Sequence, residues 1–303
     1  MTKALSLGPI LFHWEPEAIR DFYFRIADEA PVDSVYFGEI VCSKRAPFIR
    51  PYADGIVHRL KNAGKEIILS TRALIMSERE AADVAKIVTE PGLIVEANDL
   101  GTAGLLAGRP HVIGPLVNVY NEDTLAFLHR QGAFRVCLPP ELPAGGIAAL
   151  AKTGAAELEV LAFGRLPLAL SARCFHARAH GLQKDGCRFV CGKDEDGRTV
   201  ETLDGEPFLA INGTQVLSNS CCDLLEELDR LSGLGVGRFR LSPQRTDMVA
   251  VARIFRDVLD GRLEAAAGAD RLRAMLPGMP FSNGFLHGRE GRTLIRQQLG
   301  GEE

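Results

Sequence analysis

Residues 134–170 read "FRVCLPPELPAGGIAALAKTGAAELEVLAFGRLPLAL". The apolar run "FRVCLP" leads to the helical segment "PAGGIAALAKTGAA", and a second apolar run, "LEVLAFGRLPLAL", follows. A strand covered on both faces reads as a near-continuous apolar run, whereas a strand with one wet face alternates. The stretch is therefore a strand–helix–strand unit of a parallel sheet.

The same rhythm extends outward. Toward the N-terminus, "ALSLGPILF", "DSVYFGEI", "EIILSTRAL", "LIVEAND" and "HVIGPLVNVY" are strand candidates. Each precedes a helical segment, among them "EPEAIRDFYFRIADEA" and "SEREAADVAKIVTEPG", where Ser77 and Glu80 form a capping box. Toward the C-terminus, "VGRFRLS" and "TDMVAVARIFRDVLDG" supply the last pair. About eight βα units favour a (β/α)8 TIM-like barrel, complete or distorted, over an open doubly wound sheet. Residues 1–303 are read as a single α/β domain. Residues 171–235 interrupt it as an insertion between the seventh and eighth strands, far longer than an ordinary connection. Two Asp-Gly turn signals, in "EDGRTV" and "LDGEPF", make "CRFVCGKDEDGRTVETLDGEPFLAING" a small antiparallel unit, and "CCDLLEELDRLSG" restores the helix. The Gly- and Pro-rich tail "PGMPFSNGFLHGREG" is expected to be irregular.

Composition narrows the class. The chain is 46% hydrophobic and 24% charged, as in an ordinary soluble globular protein. Its formal net charge of −4 disfavours a nucleic-acid partner, whose backbone attracts a basic face. There is no transmembrane run and no targeting pattern, so the expected location is the cytoplasm. Thiols stay reduced there, so the seven cysteines point to ligands, nucleophiles or core residues rather than disulfides.

Three cysteines fall in the insertion with the spacing Cys174-x12-Cys187-x3-Cys191. Cys42, in "VYFGEIVCSKRAPF", follows the second strand, and Cys174 follows the seventh. Loops after barrel strands gather on one face, so Cys42 is the natural fourth thiol. Four thiolates suit zinc and iron–sulfur centres equally. Cys137, inside an apolar run, reads as core. Cys221 and Cys222 are read as opening a helix, where packing outweighs reactivity. His176 and His180, between cluster cysteines, are read as surface-loop residues.

"VYFGEIVCSKR", "LVNVYN", the cysteine spacing, "INGTQVLSN" and "FRLSPQ" resemble the collagenase-like peptidase family, most closely its UbiV-type branch of anaerobic ubiquinone biosynthesis. The resemblance covers essentially the whole chain. It implies a 4Fe-4S cluster held by Cys42, Cys174, Cys187 and Cys191. It also implies a heterodimer with a UbiU-type sister subunit and oxygen-independent hydroxylation of the ubiquinone ring. A lipid-binding accessory protein would present the polyprenylated substrate. Members of this branch are not regarded as proteases, and other relatives hydroxylate RNA bases.

The barrel mouth is the expected substrate site. Candidates there are Glu39, Arg72, Glu96, Asn98, Asn118, Tyr120, Asn121, Arg165, Gln244 and Arg245. Arg72 and Arg245 can grip a carboxylate. Tyr120 can stack on a ring or move a proton, and Arg72, Glu96 and Tyr120 are the catalytic candidates. No glycine-rich dinucleotide motif follows the first strand, and neither HExxH nor GxSxG is present. Two other readings remain open at this level: a structural-zinc scaffold and a peptidase.

Overall fold

The computed structural model describes residues 3–296. The expected barrel is there. Strands β1 (Ala4–Leu7), β2 (Ser34–Phe37), β3 (Glu66–Ser70), β4 (Ile94–Ala97), β5 (His111–Ile113), β6 (Ala133–Cys137) and β7 (Glu157–Leu170) pair in order, all parallel. The ring is closed by the strand Arg238–Leu241, which pairs in parallel with both β1 and β7. Three antiparallel strands precede it in the chain and make the insertion: β8 (Arg198–Glu201), β9 (Pro207–Asn212) and β10 (Gln215–Asp223). The closing strand is thus β11, and β12 (Phe281–Ser282) pairs with β10.

Strand β7 belongs to both structures. Its first half, through Phe163, lies in the ring, and its second half pairs antiparallel with β10. The direction of its partners changes around Gly164, whose φ of +108° suits glycine and where a Cβ would lie 2.7 Å from the Ser242 carbonyl.

The insertion differs from its sequence reading in two ways. The hairpin turns at Asp204-Gly205, as expected, but "CRFV" is not a strand: a 3-10 turn, Val190–Lys193, forms there. Cys221 and Cys222 do not open a helix. They lie in β10, between β7 and β12, and the helix begins later, at Leu228. The tail is not wholly irregular, since it supplies β12 and a 3-10 turn, Gly284–His287. A helix over Ala265–Met275 had no counterpart in the sequence reading. The capping box at Ser77 is half made. The Ser77 hydroxyl accepts the Glu80 N–H at 3.3 Å, while the Glu80 carboxylate turns to the Met76 N–H at 2.7 Å.

The apolar core lies between ring and helices, where Leu5, Val35, Ile56, Leu60 and Phe255 are fully buried. Inside the ring the packing is polar. At one level Arg135 binds Glu66 and Glu157, and Arg238 binds Glu157. At the next, Arg240 bridges Glu96 at 2.7 Å and Glu159 at 2.6 Å, both carboxylates being fully buried. The Tyr36 hydroxyl donates to Glu159 at 2.7 Å, and the guanidinium sits 3.7 Å from the centre of the Tyr36 ring. Burial pushes the Glu159 carboxyl up, but Arg240 and the hydrogen bonds more than offset it, so its pKa lies below the ordinary value.

Removing one partner of such a buried pair leaves charge uncompensated, at a cost of about 3–5 kcal/mol. Arg240→Met is expected to destabilise by that amount in urea unfolding. In a Glu96→Gln, Glu159→Gln background the same change is expected to cost much less, since no buried anion is stranded. The depressed Glu159 pKa adds stability above the unfolded carboxyl value of about 4.3. That part is lost as pH falls through the lower folded value. Glu159→Gln is therefore expected to flatten the acid limb of stability against pH.

Candidate functional site

The loop after β2 and the segment after β7 meet at the barrel's C-terminal face. Cys42, Cys174, Cys187 and Cys191 line one pocket there, with Lys44, Arg45, Lys184, Phe189 and Gly213. Local contacts hold each thiol. Glu39 Oε1 accepts the N–H groups of Val41 and Cys42 at 2.8 and 2.9 Å, folding the Cys42 loop back on itself. Burial raises the Glu39 pKa despite the opposing pull of Arg45. Cys174 caps the helix Phe175–Ala179, its sulfur accepting the Ala177 N–H at 3.4 Å. Between Cys187 and Cys191 the chain passes through the left-handed region at Arg188 and Phe189, with φ of +49° and +52°. That conformation is uncommon for such side chains and is held here by the surroundings. Phe189 packs edge-on against Phe48 at 4.7 Å and beside His13 at 5.6 Å. Burial, with Arg45 adding to it, pushes His13 down to about 4, so this wall is neutral near pH 7.

Arg45 ties the site together and was not among the residues singled out in the sequence. Its buried guanidinium donates to the Leu11 carbonyl at 3.1 Å and to Asn212 Oδ1 at 2.6 Å, and it faces Cys42 and Cys191. Gly213, at φ +72°, lies so close that a Cβ would come within 2.4 Å of the Arg45 Nη2. Burial raises the Cys42 and Cys191 thiols above their ordinary range, and Arg45 pulls both back only in part. Further positive charge in the pocket would favour ionisation of these two thiols.

The pocket's size bears on what fits. A tetrahedral zinc about 2.3 Å from each sulfur holds the sulfurs about 3.8 Å apart. Among the described residues, no three of these sulfurs lie mutually within 4.8 Å. A cuboidal cluster spreads its thiolates wider, because separate irons hold them. Four sulfurs and three lining cations match such a group, which is anionic once thiolate-bound.

The remaining cysteines are remote from this chemistry. Cys137, Cys221 and Cys222 are buried in the core, and burial raises all three thiols. His176 is not a surface-loop residue. It is fully buried on the Phe175–Ala179 helix, facing Asp194, while His180 is half-buried.

A second, largely apolar pocket lies between the strand ends and β10, lined by Leu11, Ile40, Val41, Pro115, Leu161 and Leu170 with Asn98, Gln215, Arg240 and Ser242. Asn98 donates to the Thr71 carbonyl and Glu96, each at 3.1 Å, leaving its buried Oδ1 without a partner. The Ser242 hydroxyl and Gln244 Oε1 are likewise buried and unpartnered. The other mouth candidates are dispersed. Glu96 is committed to Arg240 and Ser70 inside the ring. Arg72 reaches Asp83 at 3.3 Å, and Arg245 pairs with Glu195 at 2.7 Å. Arg165 is buried against the carbonyls of Ser218 and Asn219. Asn118 is exposed, Asn121 caps the helix Glu122–Arg130, and Tyr120 is exposed with its hydroxyl 3.3 Å from Glu141.

Fold and site together define a (β/α)8-barrel protein with a four-thiol pocket at the C-terminal ends of its strands. Residues 22–296 match the family described as peptidase family U32, and the chain belongs to that family. Among solved structures it is similar to the U32 peptidase Mk0906, at 12% identity over 80% of this chain and 93% of that one, with a TM-score of 0.46. It is also similar to the tryptophan synthase complex from Pyrococcus furiosus, at 13% identity over 91% of this chain and 99% of that one, with a TM-score of 0.43.

Exposure separates the thiols. In metal-free, reduced protein under native conditions, iodoacetamide is expected to modify the half-buried Cys42 and Cys187 at least tenfold faster than Cys137, Cys221 and Cys222, about the ratio local opening imposes on buried groups. Peptide mass spectrometry over a time course measures this directly.

Proposed function

We propose that this chain is the 4Fe-4S subunit of an oxygen-independent hydroxylase that acts on the ring of ubiquinone precursors together with a UbiU-type sister subunit. The observation that carries the reading is the convergence of Cys42, Cys174, Cys187 and Cys191 on one pocket lined by Lys44, Arg45 and Lys184. When bound, such a cluster supplies one-electron transfer. The chain's own residues do the rest. Arg45, Lys44 and Lys184 offset the thiolate charge, and Phe189, Phe48 and His13 restrict water on one side. The apolar mouth pocket fits an aromatic ring, and the free acceptor of Asn98 suits a phenolic hydroxyl. No helix among the described residues is long and apolar enough to cross a membrane. The reading includes a lipid-binding accessory protein that presents the prenylated substrate.

The family description favours a peptidase as the second reading. Among the described residues, no serine, threonine or cysteine side chain is hydrogen-bonded to a histidine, the pairing that would activate a nucleophile.

Anoxically purified protein is expected to be brown and to hold about four irons and four sulfides per chain. Cys187→Ala is expected to lose both the colour and the iron. A colourless protein with stoichiometric zinc would overturn the redox reading. Asn98→Leu is expected to keep the cluster and lower anaerobic ubiquinone formation at least tenfold in cells dependent on this chain, which corresponds to about 1.4 kcal/mol of lost binding or orientation.

A further inference from the structure

One cluster of metal-ligating side chains lies outside both pockets. His176 and His180 stand four residues apart on and just beyond the helix Phe175–Ala179, which places both imidazoles on one face. Their rings stack with centroids 5.4 Å apart and planes 17° apart. Asp194, just after the Val190–Lys193 turn, faces them, with Oδ2 2.8 Å from His176 Nε2. One ligand atom from each of the three lies within 4.8 Å of the others. None of the three lines the four-cysteine pocket.

We propose that His176, His180 and Asp194 form a binding site for a first-row divalent cation, zinc(II) or iron(II), separate from the four-cysteine pocket. Two imidazoles and a carboxylate are the donor set these ions favour, and three protein ligands leave a position open for water. The state of His176 points to a ligand. The ring is fully buried, and its contacts with Asp194 Oδ2, 2.8 Å from Nε2, and with the Ile211 carbonyl are poorly aligned for hydrogen bonds. A histidine buried only for packing normally satisfies at least one nitrogen, because an orphaned polar atom is costly. Two imidazoles and a carboxylate brought this close, with imperfect hydrogen-bond geometry, are what a bound ion would organise.

Arg198 is the competitor. Its Nη1 lies 3.2 Å from His180 Nε2. A guanidinium can only donate, so this contact holds His180 with a lone pair at Nε2, the same lone pair a cation would take. The ion would displace Arg198 from the half-exposed His180 side. Once bound, it would join the helix after Cys174 to the turn after Cys191, and so clamp together two segments that carry thiols of the main pocket.

The test uses the intact chain, purified without oxygen, freed of iron and sulfide with a chelator, reduced and alkylated at its accessible thiols, with cobalt(II) as the probe. The expected result is one equivalent of cobalt with ligand-field absorption, no thiolate charge transfer, and release by zinc. His180→Ala and Asp194→Asn are each expected to weaken binding at least tenfold. Arg198→Gln is expected to tighten it about tenfold, as removal of one unit charge a few ångströms away requires. A set of packing residues would show no such gain. Absence of ligand-field absorption, binding unchanged in His180→Ala, or no tightening in Arg198→Gln would each overturn the site. If the ligand variants unfold by circular dichroism, Arg198→Gln decides alone. Removing iron and sulfide before alkylation keeps this readout independent of whether the cysteines hold a cluster.

Discussion

Arg240 holds two carboxylates in the middle of the barrel, and the closed ring depends on that contact. It stands on β11, while Glu96 is on β4 and Glu159 on β7, so one guanidinium spans the ring between strands distant in sequence. Hydrophobic burial alone is non-directional and would accept many arrangements of apolar strands. A buried cation that must meet two buried anions accepts few. Here the pairing does not add much to net stability, since desolvation consumes most of the attraction. It penalises the alternatives, because any slip of β11 by one residue turns Arg240 out of the ring and strands both acids.

The same strands that carry this network deliver the chemistry above it. Arg240 and Asn98 border the apolar mouth pocket, so its floor is set by the ion-pair layer. The loop after β2 lifts Cys42 toward the insertion, and the Glu39 carboxylate fixes its backbone. From the other side, the Asn212–Gly213 turn reaches down to Arg45, with Asn212 also donating to the carbonyls of Cys191 and Asp194 at 3.0 and 2.8 Å. Arg45 and Asn212 thus form a seam between barrel and insertion, and the thiols lie along it.

Much of this architecture was legible in the residues. Apolar runs as in "LEVLAF" identified the ring strands, because burial on both faces suppresses alternation. The four thiols emerged from spacing and barrel geometry. Cys221 and Cys222 misled because "CCDLLEELDRLSG" has helical composition throughout, whereas β7 and β12 extend the strand through Asp223. His176 misled because its burial comes from Asp194 and Ile211, which are remote in sequence. Arg240 and Glu159 did leave a signal: with Arg238 and Glu157 they are charges alternating with apolar residues in buried strands. A charge there must find an opposite charge, and the sequence cannot say which one. Arg45 left none, since a basic residue after "CSK" reads as solvated until Asn212 and Gly213 close over it.

Strand β7 carries a structural consequence of its own. Its fourteen residues run from the ring into the insertion without a break, about 45 Å of strand at the usual rise per residue. The insertion is therefore not a cassette hung on a loop. Residues 171–235 moved to another barrel would arrive without the strand that pairs with β10, and their apolar inner face would have no backing. In this chain the thiol pocket and the overlong seventh strand form one structural unit. Were that strand to stop at the rim, β10 would lose its partner and Cys174 its place beside Cys42.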